Sequence, residues 1–223
     1  MKGKIYDIFD SVQGEGIYLG EKQLFVRFFG CNLSCKFCDT KLEYFKEYEP
    51  QELVGELQRY GEDYHSVAFT GGEPLLQKDF LKEVLPLLRE SGLKHYLETN
   101  GTLPEALTEI IEFLDIVAMD LKLPSSTQTR DFWQTHRHFL KIAAQKEVFL
   151  KAVICHSTLE EDLKAALEMI KETHPATTLV LQPNSYEDDW QLRHKIKKFR
   201  QVAIEENIAT CVIAQVHKMA GLK

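Results

Sequence analysis

The chain has no apolar run approaching the length that crosses a bilayer, so no membrane anchoring is expected. The stretch from Met1 to Asp10 scatters its charges and holds no apolar signal core, so nothing in it suggests export. There is no basic surplus: 27 Lys and Arg stand against 34 Asp and Glu, a formal net charge of -7. That balance argues against a surface built to coat nucleic acid. Internal repeats, low-complexity tracts and linkers are absent, which points to one domain over residues 1–223. Cysteine is scarce, five residues in 223. The setting expected is a reducing cytoplasm, where clustered cysteines bind metal or do chemistry rather than form disulfides. What remains is an ordinary globular composition, 44% hydrophobic and 27% charged, with enough chain for a full core.

Three of the five cysteines fall in one stretch, Gly30-Cys31-Asn32-Leu33-Ser34-Cys35-Lys36-Phe37-Cys38-Asp39-Thr40, spaced Cys-x3-Cys-x2-Cys. Neither a fourth cysteine nor a histidine lies within it. Structural zinc sites take four protein ligands, and iron–sulfur cubanes usually take one cysteine per iron. Three thiolates on so short a loop therefore suggest a cluster with one iron left open to a ligand that is not protein. The competing reading is a zinc knob completed by a distant histidine such as His65 or His156. Cys155 and Cys211 sit among β-branched apolar neighbours and read as small core residues on strands.

Along the chain, strands are expected at Lys4 to Phe9, Leu24 to Phe29, Ser66 to Thr70, Lys94 to Thr99, Ile116 to Asp120, Glu147 to Ile154, Thr178 to Leu181 and Thr210 to Ala214. Helices are expected at Pro50 to Tyr60, Gln77 to Arg89 with a kink at Pro86, Pro104 to Leu114, within Pro124 to Gln145, after Ser157, and from Asp188 to Asn207. Ser157 with Glu160 fits a capping box. Ser11 to Gly16 reads as a turn-rich loop. Strand and helix alternate about six times, which implies a parallel sheet with right-handed crossovers. That is too few units for a closed eight-stranded barrel, so the fold expected is α/β, a partial (open) parallel β/α barrel of about six strands. Its parts would be an N-terminal loop or hairpin over 1–23, a core over 24–209 and a C-terminal strand and tail over 210–223. Ligands in such folds sit at the carboxyl ends of the strands. The polar or glycine-rich clusters fall there: the cysteine loop, Thr70-Gly71-Gly72-Glu73, Glu98-Thr99-Asn100, Asp120-Leu121-Lys122 and Gln182-Pro183-Asn184. Arg27, alone in an apolar strand, is either an edge residue snorkelling to water or an inward guanidinium awaiting a carboxylate.

The cysteine spacing after a strand resembles the radical S-adenosylmethionine (SAM) superfamily, and Gly71-Gly72-Glu73-Pro74 is similar to that family's glycine-rich turn. The resemblance implies a [4Fe–4S] cluster on Cys31, Cys35 and Cys38, with SAM chelating the open iron. It also implies that Glu73 accepts hydrogen bonds from the SAM amino group; Glu98 and Asn100 read either as hydrogen-bonding a ribose or as a strand-end turn. More narrowly, Ser11 to Gly16, Arg27, the whole run Gly30 to Thr40, Glu98-Thr99-Asn100-Gly101 and Gln182-Pro183-Asn184 resemble the 7-carboxy-7-deazaguanine synthase family over nearly the whole chain. That likeness implies contraction of 6-carboxy-5,6,7,8-tetrahydropterin to a deazapurine with loss of ammonia, a step toward queuosine. The route implied is cleavage of SAM to methionine and a 5′-deoxyadenosyl radical, hydrogen abstraction, ring contraction and return of the hydrogen.

Carried over by position, Val12, Gln13, Gly14, Arg27 and Thr70 would contact the pterin. Phe37, Cys38, Asp39, Gly72, Asp120, Leu121, Lys122 and Gln182, Pro183, Asn184, Ser185 would line SAM. The Thr40 hydroxyl would meet Mg2+, a hard cation that keeps several waters; the competing reading is a helix N-cap or turn residue. A reductase or flavodoxin-type electron donor and a homodimer are further implications. Two departures stand out. The family's serine-type strand end is Asp120-Leu121 here, and the tail Gln215 to Lys223 carries no motif to which a role attaches. An activase that places a glycyl radical on a partner protein shares the cysteine loop and the Gly-Gly-Glu-Pro turn but has no use for Arg27 or for Gln13 to Glu15. A non-enzymatic metal-binding or electron-transfer domain is the alternative of another class.

Overall fold

The computed structural model describes residues 1–38, 40–61, 63–187, 189–216 and 221. Among the described residues nine strands form one sheet: β1 (Gly3–Val12), β2 (Lys22–Phe28), β3 (Lys46–Tyr48), β4 (Ser66–Gly71), β5 (Lys94–Thr99), β6 (Ile116–Asp120), β7 (Glu147–Ile154), β8 (Thr178–Pro183) and β9 (Thr210–Val212). The order across it is β3-β1-β2-β4-β5-β6-β7-β8-β9. From β2 to β9 every neighbour is parallel, while β1 pairs antiparallel with both β2 and β3. The open, mostly parallel sheet expected from the alternation is thus present. It has seven parallel strands, because β9 adds a short last one, and an antiparallel hairpin widens its first edge.

Period-two alternation sorts the side chains of each strand. Val26 and Phe28 of β2, Val67 and Phe69 of β4, and Leu150, Ala152 and Ile154 of β7 join the large core beneath the helices. Phe25, Ala68, Tyr96, Ala118, Phe149 and Val180 point to the other side and form a second, inner core. The helices α1 (Pro50–Gln58), α2 (Lys78–Leu88), α3 (Pro104–Thr108), α4 (Pro124–Thr127), α5 (Trp133–Ala143), α6 (Glu160–Thr173) and α7 (Trp190–Glu205) fill the crossovers. In α2 the periodic residues Phe80, Leu81, Val84, Leu85 and Leu88 are all buried, each worth about 2 kcal/mol of apolar burial. Pro86 lies within that helix, and after Leu88 one 3-10 turn, Arg89–Ser91, ends at Gly92, whose φ is +72°.

Some expectations shift. β1 runs on to Val12, so Ser11 and Val12 are strand residues opposite Gln23 and Lys22 rather than turn. Ser157 does not cap α6: Thr158 turns the chain back on Cys155, its hydroxyl accepting the Cys155 N–H at 2.7 Å, and Leu159 occupies the cap. A reciprocal capping box is found instead at Glu49 and Glu52, ahead of Pro50 at the start of α1. α7 begins after Asp189, which accepts the Leu192 N–H at 2.9 Å. Among the described residues no helix is long and apolar enough to cross a membrane.

Candidate active site

The inner side of the sheet changes character along each strand. Phe25, Ala68, Tyr96, Ala118, Phe149 and Val180 are followed two residues later by Arg27, Thr70, Glu98, Asp120, Lys151 and Gln182. Each polar member lies toward the carboxyl end of its strand, and all six line one cavity of about 770 Å³. That volume is in the range of small-molecule sites.

The narrow end of this cavity is closed by the loop between β1 and β2. Gln13 N–H donates to Glu21 O at 2.8 Å and Gly20 N–H to Gln13 O at 2.9 Å, which folds the loop inward. Gly16 has φ +68°, and a Cβ there would meet the Phe149 ring at 2.6 Å, so only glycine fits. Tyr18 then packs edge-on to Tyr96, with centroids 5.9 Å apart, and its hydroxyl donates to Glu147.

Gln13 is buried and its amide direction is forced. Its carbonyl accepts the Glu15 N–H at 3.0 Å, so Nε2 donates to both Gln23 Oε1 and Glu98 Oε1, each at 2.9 Å. Gln23 in turn donates to Ser66 Oγ at 2.9 Å, and Thr70 donates to the second Glu98 oxygen at 2.8 Å. The carboxylate assigned above to a ribose therefore stands with Gln13 and Thr70, the residues assigned to the pterin. Arg27 lines the same cavity with its guanidinium over the Phe9 ring, 5.1 Å from the centroid.

On the far wall, Asp120 accepts from Lys122 at 2.9 Å and pairs with Lys151 at 3.4 Å. Lys151 also pairs with Glu15 at 2.5 Å, and Gln215 donates to the other Glu15 oxygen at 2.9 Å. Burial alone would raise the Asp120 carboxyl, but the two ammonium groups outweigh it and hold it below its ordinary value. Burial likewise works to lower Lys122 and Lys151, and the facing carboxylates outweigh it, so both are raised.

Cys31, Cys35 and Cys38 all line the mouth of the cavity, as do Phe37 and Thr40. Burial raises the Cys31 and Cys35 thiols. Among the described residues no group of three His, Cys, Asp or Glu side chains is arranged to hold a metal ion. The loop is seated on the glycine turn after β4. Gly72 N–H donates to Phe28 O at 3.2 Å and Glu73 N–H to Gly30 O at 2.8 Å. A Cβ on Gly72 would lie 2.0 Å from Gly30 O, and one on Gly71, with φ +130°, would lie 2.3 Å from Phe28 O. The close approach these glycines allow here is to the backbone beneath the cysteines.

Glu73 does not reach the cavity. It is fully buried, and its carboxylate accepts from Leu75 N–H at 3.0 Å, Thr99 hydroxyl at 2.8 Å and Asn100 N–H at 2.7 Å. Burial pushes it up to about 7 against those hydrogen bonds. In this structure it braces the wall behind the cysteines rather than lining the cavity. Asn100 does line the cavity; its Nδ2 donates to Asn32 Oδ1 at 2.8 Å and lies 4.0 Å from Cys31 Sγ. His136 holds the Asn100 carbonyl at 3.2 Å, and burial lowers it to about 4.

Val12, Gln13, Gly14, Arg27, Thr70, Phe37, Cys38, Gly72, Glu98, Asn100, Asp120, Lys122, Gln182 and Asn184 are thus brought together around one space. Leu121 belongs to the outer core, and Pro183 and Ser185 flank the cavity without lining it. Asp39 lies outside the described residues. Missing from the sequence reading were Lys151 and Gln215, while Glu15 entered it only alongside Gln13 and Gly14. Lys151 had a signal, a lone lysine in the apolar run Val148-Phe149-Leu150-Lys151-Ala152-Val153, the same kind of anomaly as Arg27.

The model of the radical SAM superfamily matches residues 25–196. A 7-carboxy-7-deazaguanine synthase from Geobacter sulfurreducens is 35% identical over 98% of this chain and 97% of its own. The chain belongs to the 7-carboxy-7-deazaguanine synthase family. A second member, from Methanopyrus kandleri, is 32% identical over 96% of this chain and 92% of its own. The crystal structure of QueE from Escherichia coli, at 19% identity, shares the fold, with a TM-score of 0.64 over 95% of this chain and 93% of that one. This member of the 7-carboxy-7-deazaguanine synthase family is accordingly a radical SAM lyase acting on a small molecule, and the cofactors of its superfamily are a [4Fe–4S] cluster and SAM.

The donor types present suit those groups, although the three thiols are not gathered about one point. Three thiols stand on one loop at the mouth. Deeper in the wall, Gln182 Oε1 is buried with no hydrogen-bond partner among the described residues. A buried acceptor left without a donor calls for one from a guest molecule.

Proposed function

We propose that this synthase converts 6-carboxy-5,6,7,8-tetrahydropterin to 7-carboxy-7-deazaguanine with loss of ammonia, in deazapurine and queuosine biosynthesis. The supporting observation is the meeting, in one cavity, of the three-cysteine loop with Arg27 and the Gln13–Glu98–Thr70 cluster. Cys31, Cys35 and Cys38 would hold the cluster, which with SAM supplies the radical that removes a substrate hydrogen. Everything else is positioning by the chain. Arg27 presents a planar fork to the substrate carboxylate, a pairing stronger and more directional than a point charge gives. Glu98 offers an acceptor to the donor edge of an aminopyrimidinone, and Val12 covers its face. Thr70 keeps Glu98 in place.

On the SAM side the contacts we assign are Phe37, Gly72, Asn100, Asp120, Lys122, Gln182 and Asn184, with Asp39 carried over on resemblance alone. Thr40, beside Cys38, would offer its hydroxyl to Mg2+, which needs few protein ligands when it keeps its waters. A flavodoxin-type reductase, a homodimer, a cytoplasmic setting and a single domain over residues 1–223 complete the proposal.

Anaerobic reconstitution tests it. The expected result is an EPR signal of the reduced protein that changes on adding SAM, together with formation of 7-carboxy-7-deazaguanine stimulated by Mg2+. Bound zinc, or a cluster indifferent to SAM, would overturn the assignment of the cysteines. Methionine and 5′-deoxyadenosine formed without pterin turnover would overturn the substrate alone.

A further inference from the structure

We infer that Lys151 is a positioning residue that ties the substrate end of the cavity to the SAM end through one shared cation. The inference rests on the reading of the two ends given above. Lys151 is 5% exposed and stands on the inner face of β7 between Phe149 and Val153. Its Nζ lies 2.5 Å from Glu15 Oε2 and 3.4 Å from Asp120 Oδ1. These carboxylates come from opposite directions. Glu15 arrives on the loop that closes the narrow end, next to Gln13, whose side-chain carbonyl takes the Glu15 N–H. Asp120 ends β6 at the wide end, beside Lys122, and register places Asp120 directly opposite Lys151.

Each carboxylate has a second holder, Gln215 for Glu15 and Lys122 for Asp120. Lys151 is the group they share. The pairing is satisfied on both sides, so the amine is poised to hold rather than to give up a proton; the facing carboxylates overcome the effect of burial and raise it well above its ordinary value. Removing a buried cation while leaving its anions is costly, because two carboxylates then remain close together with too little compensation. They would turn toward their other holders, Glu15 away from the substrate end and Asp120 away from the SAM end. A single substitution should therefore loosen both ligands at once.

The test uses reconstituted holoenzyme under anaerobic conditions. SAM affinity is read from the EPR change of the reduced protein. Affinity for 6-carboxypterin, a stable aromatic analogue of the substrate, is read from its fluorescence. Lys151→Met should weaken both by about tenfold or more, the usual scale for truncating one member of a buried charge pair, and should raise KM more than it lowers kcat. Lys151→Arg, which keeps a cation in place, should recover part of both. Affinities in Lys151→Met within about twofold of the parent, with only a lowered melting temperature, would overturn the inference, since that is what mere packing predicts.

If Lys151→Met does not fold, the two ends are cut singly. Glu15→Gln should weaken SAM as well as 6-carboxypterin, and Asp120→Asn should weaken 6-carboxypterin as well as SAM. Effects confined to each residue's own end would overturn the tie. Gln13→Ala separates this from the parent reading. Unchanged 6-carboxypterin binding there would remove the substrate end as assigned, whereas weakened binding there beside unaffected Lys151 variants would sink the tie alone.

Discussion

Gly72→Ala tests whether the glycine turn is the seat of the cysteine loop. The added methyl would stand 2.0 Å from the Gly30 oxygen, 2.5 Å from its carbonyl carbon and 3.0 Å from Cys31 Cβ. All three belong to the start of the cysteine loop, and two are backbone, so no flexible side chain can yield. The loop must retreat by more than about 1 Å to restore van der Waals separation. Overpacking of this kind costs about 1–3 kcal/mol. The retreat also breaks the 2.8 Å hydrogen bond from Glu73 N–H to Gly30 O, adding about 1 kcal/mol. Together they give about 2–4 kcal/mol, a fall in Tm of about 5–15 °C for a chain of this size. Differential scanning calorimetry of metal-free protein reads the first effect, and iron per chain after reconstitution reads the displacement of Cys31. Gly55 in α1 is the control: a Cβ there meets nothing within 4 Å, so Gly55→Ala should stabilise by about 0.5–1 kcal/mol through helix propensity. A Gly72→Ala protein that melts within about 1 °C of the parent and takes up full iron would refute the reasoning.

Gln23→Met leaves one Gln13 amide proton without its acceptor in the interior, and chemical denaturation should show a loss of about 1–3 kcal/mol; an unchanged midpoint would mean that the chain from Ser66 to Glu98 is incidental. Glu73 titrates upward, from 4.5 to about 7, so it adds stability below pH 4.5 that is lost as pH rises toward 7, on the order of 3 kcal/mol in all. In urea melts across that window wild type should lose stability relative to Glu73→Gln as pH rises, and a constant difference would refute it. His136, lowered from 6.5 to about 4, works the other way and is common to both proteins, so it cancels in that comparison. Arg27→Lys keeps the charge but loses the fork, and KM for the carboxylated pterin should rise about tenfold or more with SAM affinity unchanged; equal KM values would count against a bidentate role.

The elements most legible in the sequence were those whose burial is decided locally. β5, β6 and β7 are short apolar runs closed by turn or polar residues, and their limits agree with the reading from sequence. β3 had no such signature, since Lys46-Glu47-Tyr48 is a strand only because it borders β1. The last residues of β1 are strand for the same non-local reason. Ser157 satisfied a local motif, yet the Leu159 N–H that such a cap would accept is taken by Ser125 Oγ instead. Within the site, Arg27 could be singled out as a charge in an apolar strand, and Lys151 offered the same sign. Glu15 could be read only together with Gln13 and Gly14, and Gln215 offered no sign, because what brings the two into contact is a fold-back of 200 residues' separation. Glu73 shows the opposite limit: its motif was visible, but whether its carboxylate faces a ligand or braces the wall depends on Thr99 and Asn100 arriving behind it.

The loop that carries Gln13 and Glu15 also corks the barrel. Below those residues lie Tyr18, Tyr96 and Phe149, packed ring against ring, so the end opposite the cysteines is stoppered with aromatic side chains. A radical enzyme has to guard against leakage: any stray water chain or reductant reaching the reacting atoms quenches the intermediate and wastes the activated cofactor. Under the proposed function, leak-proofing and substrate grip would fall to one short segment. Drift in that segment is therefore constrained twice over. A change at Gly16 or Tyr18 that spared affinity would still show itself as futile turnover, with 5′-deoxyadenosine accumulating ahead of product.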